Sequence, residues 1–191
     1  MSLSKVLIAA ILAVFSVAIR PQQIHQSTIT IHVGKAGVFS GFGHNHTVVA
    51  PVDRAEIDPT KMTAMIVVFT KQMRVVDKDV SEKDLAQIQA DMLGPKVLDA
   101  QQFPEIIFRS SKIEPAGPQH YRVTGTLELH GMRKEVSFNV TGGPEHYTGT
   151  TRLKQTDFGI QPFSAGGGTV KVKNELELEF NIWKQPLASS R

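Results

Sequence analysis

The feature that most limits the fold is the last long stretch before the C-terminus. From Thr169 to Ile182, apolar and polar residues alternate. Val170, Val172, Leu176, Leu178, Phe180 and Ile182 stand opposite Thr169, Lys171, Lys173, Glu175, Glu177, Glu179 and Asn181, and only Asn174 interrupts the apolar side. Period-two alternation marks a strand with one buried face. At about 3.3 Å per residue, a strand of some 14 residues spans roughly 45 Å. Ordinary sheet strands run to about 5–6 residues. So long an amphipathic strand suits the tilted, coiled wall of a closed antiparallel barrel, because closure removes exposed edges.

The same period recurs along the chain. Ile29, Ile31 and Val33 alternate with Thr28, Thr30 and His32, and Gly34, Gly37, Gly41 and Gly43 then mark an irregular bend. Residues 47–52 and 54–58 read as short strands, Ala64–Met73 as a central strand and Ile106–Ile113 as another. Tyr121, Val123, Gly125, Leu127 and Leu129 share one face, Gly131 turns the chain, and Val136, Phe138 and Val140 repeat the alternation. Only residues 81–93 change period. Ser81 is placed to cap a helix, Leu85, Ile88, Met92 and Leu93 fall on one helical face, and Gly94-Pro95 ends it.

The 191 residues suit a single domain, and 41% of them are hydrophobic, enough for a sizeable core. A net charge of +3 with interspersed signs gives no footprint for nucleic acid. With no cysteine, neither a disulfide nor a lipid-modified N-terminal cysteine is available. Lys5, the apolar run Val6–Ile19 and the small residues Ser16-Val17-Ala18 read as a secretory signal cut after Ala18, since the run is shorter than the roughly 20 residues of a membrane span. The expected layout is a signal peptide over 1–18, a lead-in over 19–26, a barrel domain over 27–183 and a tail over 184–191. The expected location is the periplasm or the medium.

Four segments in order resemble the YceI family of lipid-binding proteins. Leu98-Asp99-Ala100-Gln101-Gln102-Phe103-Pro104-Glu105-Ile106-Ile107-Phe108 is similar to its Phe/Tyr-Pro turn entering a strand. Tyr121–Gly131 followed by Lys134 resembles its His-Gly hairpin, and Arg152–Ile160, with Asp157-Phe158-Gly159-Ile160, its Asp-Phe-Gly-Ile segment. The final strand matches in position and pattern. The resemblance implies an all-β, eight-stranded, lipocalin-like antiparallel barrel with one short α-helix near an opening. It also implies periplasmic residence, and an apolar interior holding a polyisoprenoid chain or an isoprenoid quinone. It implies no catalytic set and no required cofactor. Two departures stand out: residues 82–93 lack the family's Arg-Asp-x-His-Leu run, and Gly43-His44-Asn45-His46 places two histidines early in the chain.

The alternation and the resemblance together nominate Val67, Phe69, Ile106, Phe108, Val123, Leu127, Leu129, Val136, Phe138, Leu176, Leu178 and Phe180 as lining residues, with Phe158 a further aromatic near a loop. Burying an isoprenoid tail needs no exact polar constellation, since each buried CH₂ contributes about 0.8 kcal/mol. A core packed solid with its own side chains is the competing expectation, because an eight-stranded barrel is small enough for it. A second functional reading is a metal-binding protein, even an enzyme, in which His44 and His46 share an ion from one face of a strand. A third treats the barrel as a scaffold for an interaction surface. His130 reads as a hairpin residue, and Arg152 and Asp157 as a structural pair or a head-group contact. A homodimer through an exposed strand or the helix is compatible with the sequence, which forces none.

Overall fold

The computed structural model describes residues 25–36, 45–168 and 170–184. The export segment, most of the lead-in, His44 and residues 185–191 lie outside the described residues. One sheet holds the strands β1 (Thr28–Ala36), β2 (His46–Pro51), β3 (Arg54–Asp58), β4 (Thr63–Phe69), β5 (Arg74–Val75), β6 (Glu105–Gly117), β7 (His120–Leu129), β8 (Met132–Gly143), β9 (His146–Lys154), β10 (Ser164–Ala165) and β11 (Val170–Trp183). Of these, β5, β9 and β10 have no counterpart among the stretches that read as strands in the sequence, and the strand expected over Ala64–Met73 stops at Phe69, where Thr70–Gln72 turn. The spatial order of the strands is β3-β4-β6-β7-β8-β9-β11-β1-β2-β5, with the short β10 also beside β11. Each pairing is antiparallel.

Leaving aside the two-residue β5, this order ends on β3 and β2, which are arms of one bent strand, and that is how the barrel closes. β2 pairs with β1, while β3 pairs with β4. Between the arms, the Val52 amide donates to Ser27 O and the Asp53 amide to Val67 O, both at 2.9 Å. The bend therefore hands the chain from one end of the sheet to the other. With β2 and β3 counted as one bent strand and the two-residue β5 and β10 set aside, the wall is a circuit of eight strands. The strand count thus differs from the expected eight only by the corner and by two short ladders. A second seam joins the chain's extremes, where Ser27 Oγ donates to Trp183 O at 3.2 Å and accepts from the Trp183 amide at 2.8 Å.

The predicted helix is α1 (Glu82–Leu93). Ser81 Oγ accepts from the Asp84 amide and donates to Asp84 Oδ2, which satisfies the first turn as a cap should. Leu85, Ile88, Met92 and Leu93 pack on a core of Ile31, Val48, Ala50, Val68, Met73, Val75, Leu98 and Ile160, and so plug one end of the barrel. Gln89 fixes the helix to β5, accepting from the Val75 amide at 2.8 Å and donating to Met73 O at 2.9 Å.

The segments that carry the family resemblance meet at the same end. Leu129 pairs with Met132, leaving His130 (φ +52°) and Gly131 (φ +72°) as a two-residue turn with both centres left-handed. The Phe103 ring lies 4.6 Å from the His130 ring, over Gly131, where a Cβ would come within 2.6 Å of it. His130 Nδ1 bonds Phe158 O at 3.3 Å, and the Phe158 side chain is 1% exposed. Thr70 ties in the Phe103-Pro104 turn, donating from Oγ1 to Phe103 O and from its amide to Pro104 O. The His-Gly turn is thus structural. Asn174, the exception in β11's alternation, accepts from the Thr156 amide at 3.0 Å and so holds the turn that carries Phe158.

Candidate functional site

The interior is divided. One half is the solid core under α1. The other half surrounds a cavity of ≈ 210 Å³. Paired inward positions build its wall: Ile66 on β4 opposite Phe108 on β6, Phe108 opposite Leu127 on β7, and Val123 opposite Phe138 on β8. Ring centroids of Phe108 and Phe138 are 5.3 Å apart, and those of Phe138 and Phe180 5.1 Å, in tilted and edge-on arrangements that aromatic pairs favour. The cavity reaches Asp58, Pro59, Met62 and Thr63 around the β3–β4 turn, where Pro59 and Thr63 are exposed, so it opens there.

Polar groups gather toward this opening. Tyr121 and Tyr147 face each other edge-on at 6.4 Å. Partial burial raises the Tyr147 hydroxyl above its ordinary pKa, helped by the charges of Tyr121 and Glu145. Asp58 is held below the ordinary carboxylate range, first by the Lys61 amide, with help from the Lys61 ammonium and the Thr60 amide. An ionised carboxylate and two phenols therefore mark the rim, while the depth of the cavity is lined by aliphatic and phenyl groups with one hydroxyl, that of Thr151.

Of the nominated residues, Phe108, Val123, Leu127, Val136, Phe138, Leu178 and Phe180 lie on the cavity wall. Ile106, Leu129 and Leu176 point inward but pack in the core under the helix. Val67 and Phe69 are a correction. On β4 the inward residues are Ala64, Ile66 and Val68, so Val67 and Phe69 occupy the opposite face, although Val67 is 3% exposed. The run Ala64-Met65-Ile66-Val67-Val68-Phe69 holds no polar residue to set the phase. Phe158 lies in a different place, at a groove between β8 and β9. The nomination missed Ile29, Ile57, Met62, Ile113, Tyr121, Val140, Tyr147, Leu153 and Ile182. Ile29, Tyr121, Val140 and Ile182 carried the right signal, since each continues an inward alternation.

His46 opens β2, and its Nδ1 lies 2.6 Å from Asp77 Oδ2, while Asp77 Oδ1 accepts from the Thr47 amide at 2.7 Å. His46 is thus tied into a latch between β2 and the segment after β5. Its proposed partner His44 lies outside the described residues, and among the described residues no three His, Asp or Glu side chains gather as a metal site would need. Arg152 does not meet Asp157. It faces Glu175 and Glu177 on β11, at 3.8 Å each, because it pairs directly with Glu177. No helix among the described residues is long and apolar enough to cross a membrane.

A closed antiparallel barrel, plugged at one end by a helix and hollow toward the other, defines the class of small cavity-bearing β-barrels. Within it the chain belongs to the YceI-like domain family, whose model matches residues 22–183. A UPF0312 protein of Vibrio cholerae is 30% identical over 132 residues, covering 64% of this chain and 66% of that protein. One of Pseudomonas putida is 31% identical over 107 residues, covering 51% and 53%. The chain thus spans only about half to two thirds of the length of these relatives. Among solved structures, BcnA of Burkholderia cenocepacia superposes with a TM-score of 0.58 at 22% identity, over 81% of this chain and 94% of that one. The YCEI protein of Campylobacter jejuni gives 0.50 at 13% identity, over 73% and 82%. At these identities the two structures speak for the fold.

Proposed function

We propose that this protein is an exported carrier that holds an apolar, isoprenoid-like chain inside its barrel, with the chain's polar end at the Tyr121/Tyr147 rim. The observation that carries the reading is the hollow half of the barrel, whose wall is apolar at depth except at Thr151 and gathers its other polar groups near its opening. Such a wall contributes affinity through burial alone, about 0.8 kcal/mol per CH₂, and offers no set of groups arranged for catalysis. Membership of the YceI-like family supports the same reading. Release to the periplasm or the medium rests on the Lys5–Ala18 segment.

The test is to purify the protein from its native host, extract it with organic solvent, and weigh it intact by native mass spectrometry. The expected result is a co-purifying lipid that is lost when Val123→Trp fills the cavity. A barrel that stays empty from every source, and takes up no apolar chain when offered one, overturns the reading.

A further inference from the structure

The barrel wall is not equally closed all round. β8 runs beside β7 through ten paired positions, and β9 beside β11 through nine. Between β8 and β9, pairing covers only Thr141/Thr148, Gly142/Tyr147 and Gly143/His146. The strands are still close at Asn139 and Gly149, where a Cβ on Gly149 would strike the Asn139 carbonyl. Beyond that point they part, and a groove of ≈ 360 Å³ lies between them. Its base is the turn Gln155–Phe158, anchored by the His130–Phe158 bond. Among the described residues, no hydrogen bond or ion pair joins the two lips between that base and Thr141/Thr148. Val136, Thr151 and Leu153 line both this groove and the inner cavity, so these side chains are all that separates the two.

We infer that the β8–β9 slit is a lateral portal through which an apolar chain enters and leaves the barrel; this rests on the carrier reading above. A long chain that used only the end near Pro59 would have to thread lengthwise past the Tyr121/Tyr147 rim. A slit along the strand direction lets the chain slide in sideways while its polar end stays in water. No ladder pairs the two lips along the slit, so widening it breaks no ladder bond. The lips carry charge on the outer face, with Glu135 and Lys154 both exposed, and apolar groups on the inner face. A chain passing between them finds apolar contact from the lip inward.

The protein has no cysteine, so a bridge across the slit is unambiguous. In the register of the Thr141/Thr148 pair, Glu135 falls opposite Lys154. The experiment joins Glu135→Cys to Lys154→Cys with a short thiol-reactive spacer, and compares a matched bridge between Arg109→Cys and Thr126→Cys across the fully paired β6–β7 seam. The probe is the fluorescent fatty acid cis-parinaric acid, with stopped-flow association and dissociation as the readout. Bridging the slit is expected to slow both rates about tenfold or more while leaving the affinity within about threefold, and the control bridge to change neither. Unchanged rates in a slit-bridged protein that still binds overturn the portal and leave the carrier reading standing. Failure of the unmodified protein to take up this probe or any other apolar chain, isoprenoid alcohols included, overturns both. Ser137→Cys with Arg152→Cys spans the same slit and serves if the first pair does not fold.

Discussion

Gly125 sits on the cavity side of β7, with the far edge of the Phe108 ring against it. A Cβ at this position would fall 2.6 and 2.7 Å from two ring carbons of Phe108, and closer still to the carbonyl oxygen of Arg109. Ordinary contacts lie near 3.5–4.0 Å, so Gly125→Ala must drive the ring about 1 Å into the cavity and strain the β6–β7 pairing. Overpacking of this kind costs about 1–3 kcal/mol. The conformational freedom that alanine removes from the unfolded chain returns about 0.4–1 kcal/mol. The net expectation is a loss of about 1–2 kcal/mol. With a urea m-value near 2 kcal/mol/M, the unfolding midpoint falls by about 0.5–1 M at unchanged m. The variant should also bind apolar chains more weakly, since the displaced ring takes up part of the cavity. A double-mutant cycle with Phe108→Leu separates ring from backbone: Gly125→Ala should cost clearly less when the ring is gone. A neutral or stabilising Gly125→Ala, or the same cost in both backgrounds, refutes the idea that Gly125 is there to seat the ring.

Asp77→Ala strips the Thr47 amide and His46 of their shared acceptor at a site 7% exposed, and should cost about 1–3 kcal/mol in chemical denaturation. Gly131→Ala forces a side chain into a left-handed turn position against the Phe103 ring, and should lower the thermal midpoint by more than Gly143→Ala, where nothing lies within 4 Å of the new methyl. Tyr147, left as the sole tyrosine by Tyr121→Phe, should ionise above pH 10 in ultraviolet titration. Its raised pKa favours the neutral phenol in the folded state, so its contribution to stability is present below pH 10 and lost as pH rises from 10 toward the folded value. Ionisation at or below pH 10 contradicts the burial assigned to it.

In β7, in β8 and from Leu176 to Ile182 in β11, the apolar positions of the alternation stand on the inner face, because polar residues between them set the phase. β4 lacks them, and the choice of Val67 and Phe69 over Ile66 and Val68 followed from that alone. Ile106, Leu129 and Leu176 show a second limit. Alternation tells which face is inside, yet α1 determines which stretch of that face is packed and which is hollow, and its docking depends on contacts from distant segments. The slit shows a third. β8 alternates cleanly, but His146–Lys154 is mostly polar and does not read as a strand, and nothing in either pattern states that the two pair over only three positions. Within the segments that carry the family resemblance, the turns Phe103-Pro104, His130-Gly131 and Asp157-Phe158-Gly159 build the plugged end and the foot of the slit, while Phe108, Val123, Leu127, Leu178 and Phe180 of the same segments stand on the cavity wall.

The seam between Ser27 and Trp183 ties together residues 156 apart in sequence. Contacts this remote are paid for in loop entropy before they return any stabilisation, so folds rich in them form slowly, on the order of milliseconds to seconds. β11 supplies Leu178, Phe180 and Ile182 to the cavity and holds β9 to β1. Until that last strand docks, the barrel has two loose ends and no interior. On the exported-carrier reading proposed above, a chain that crosses a membrane unfolded carries no cargo with it: its binding site comes into being only after the C-terminal strand has arrived on the far side, and its first ligand is drawn from the compartment in which it finishes folding.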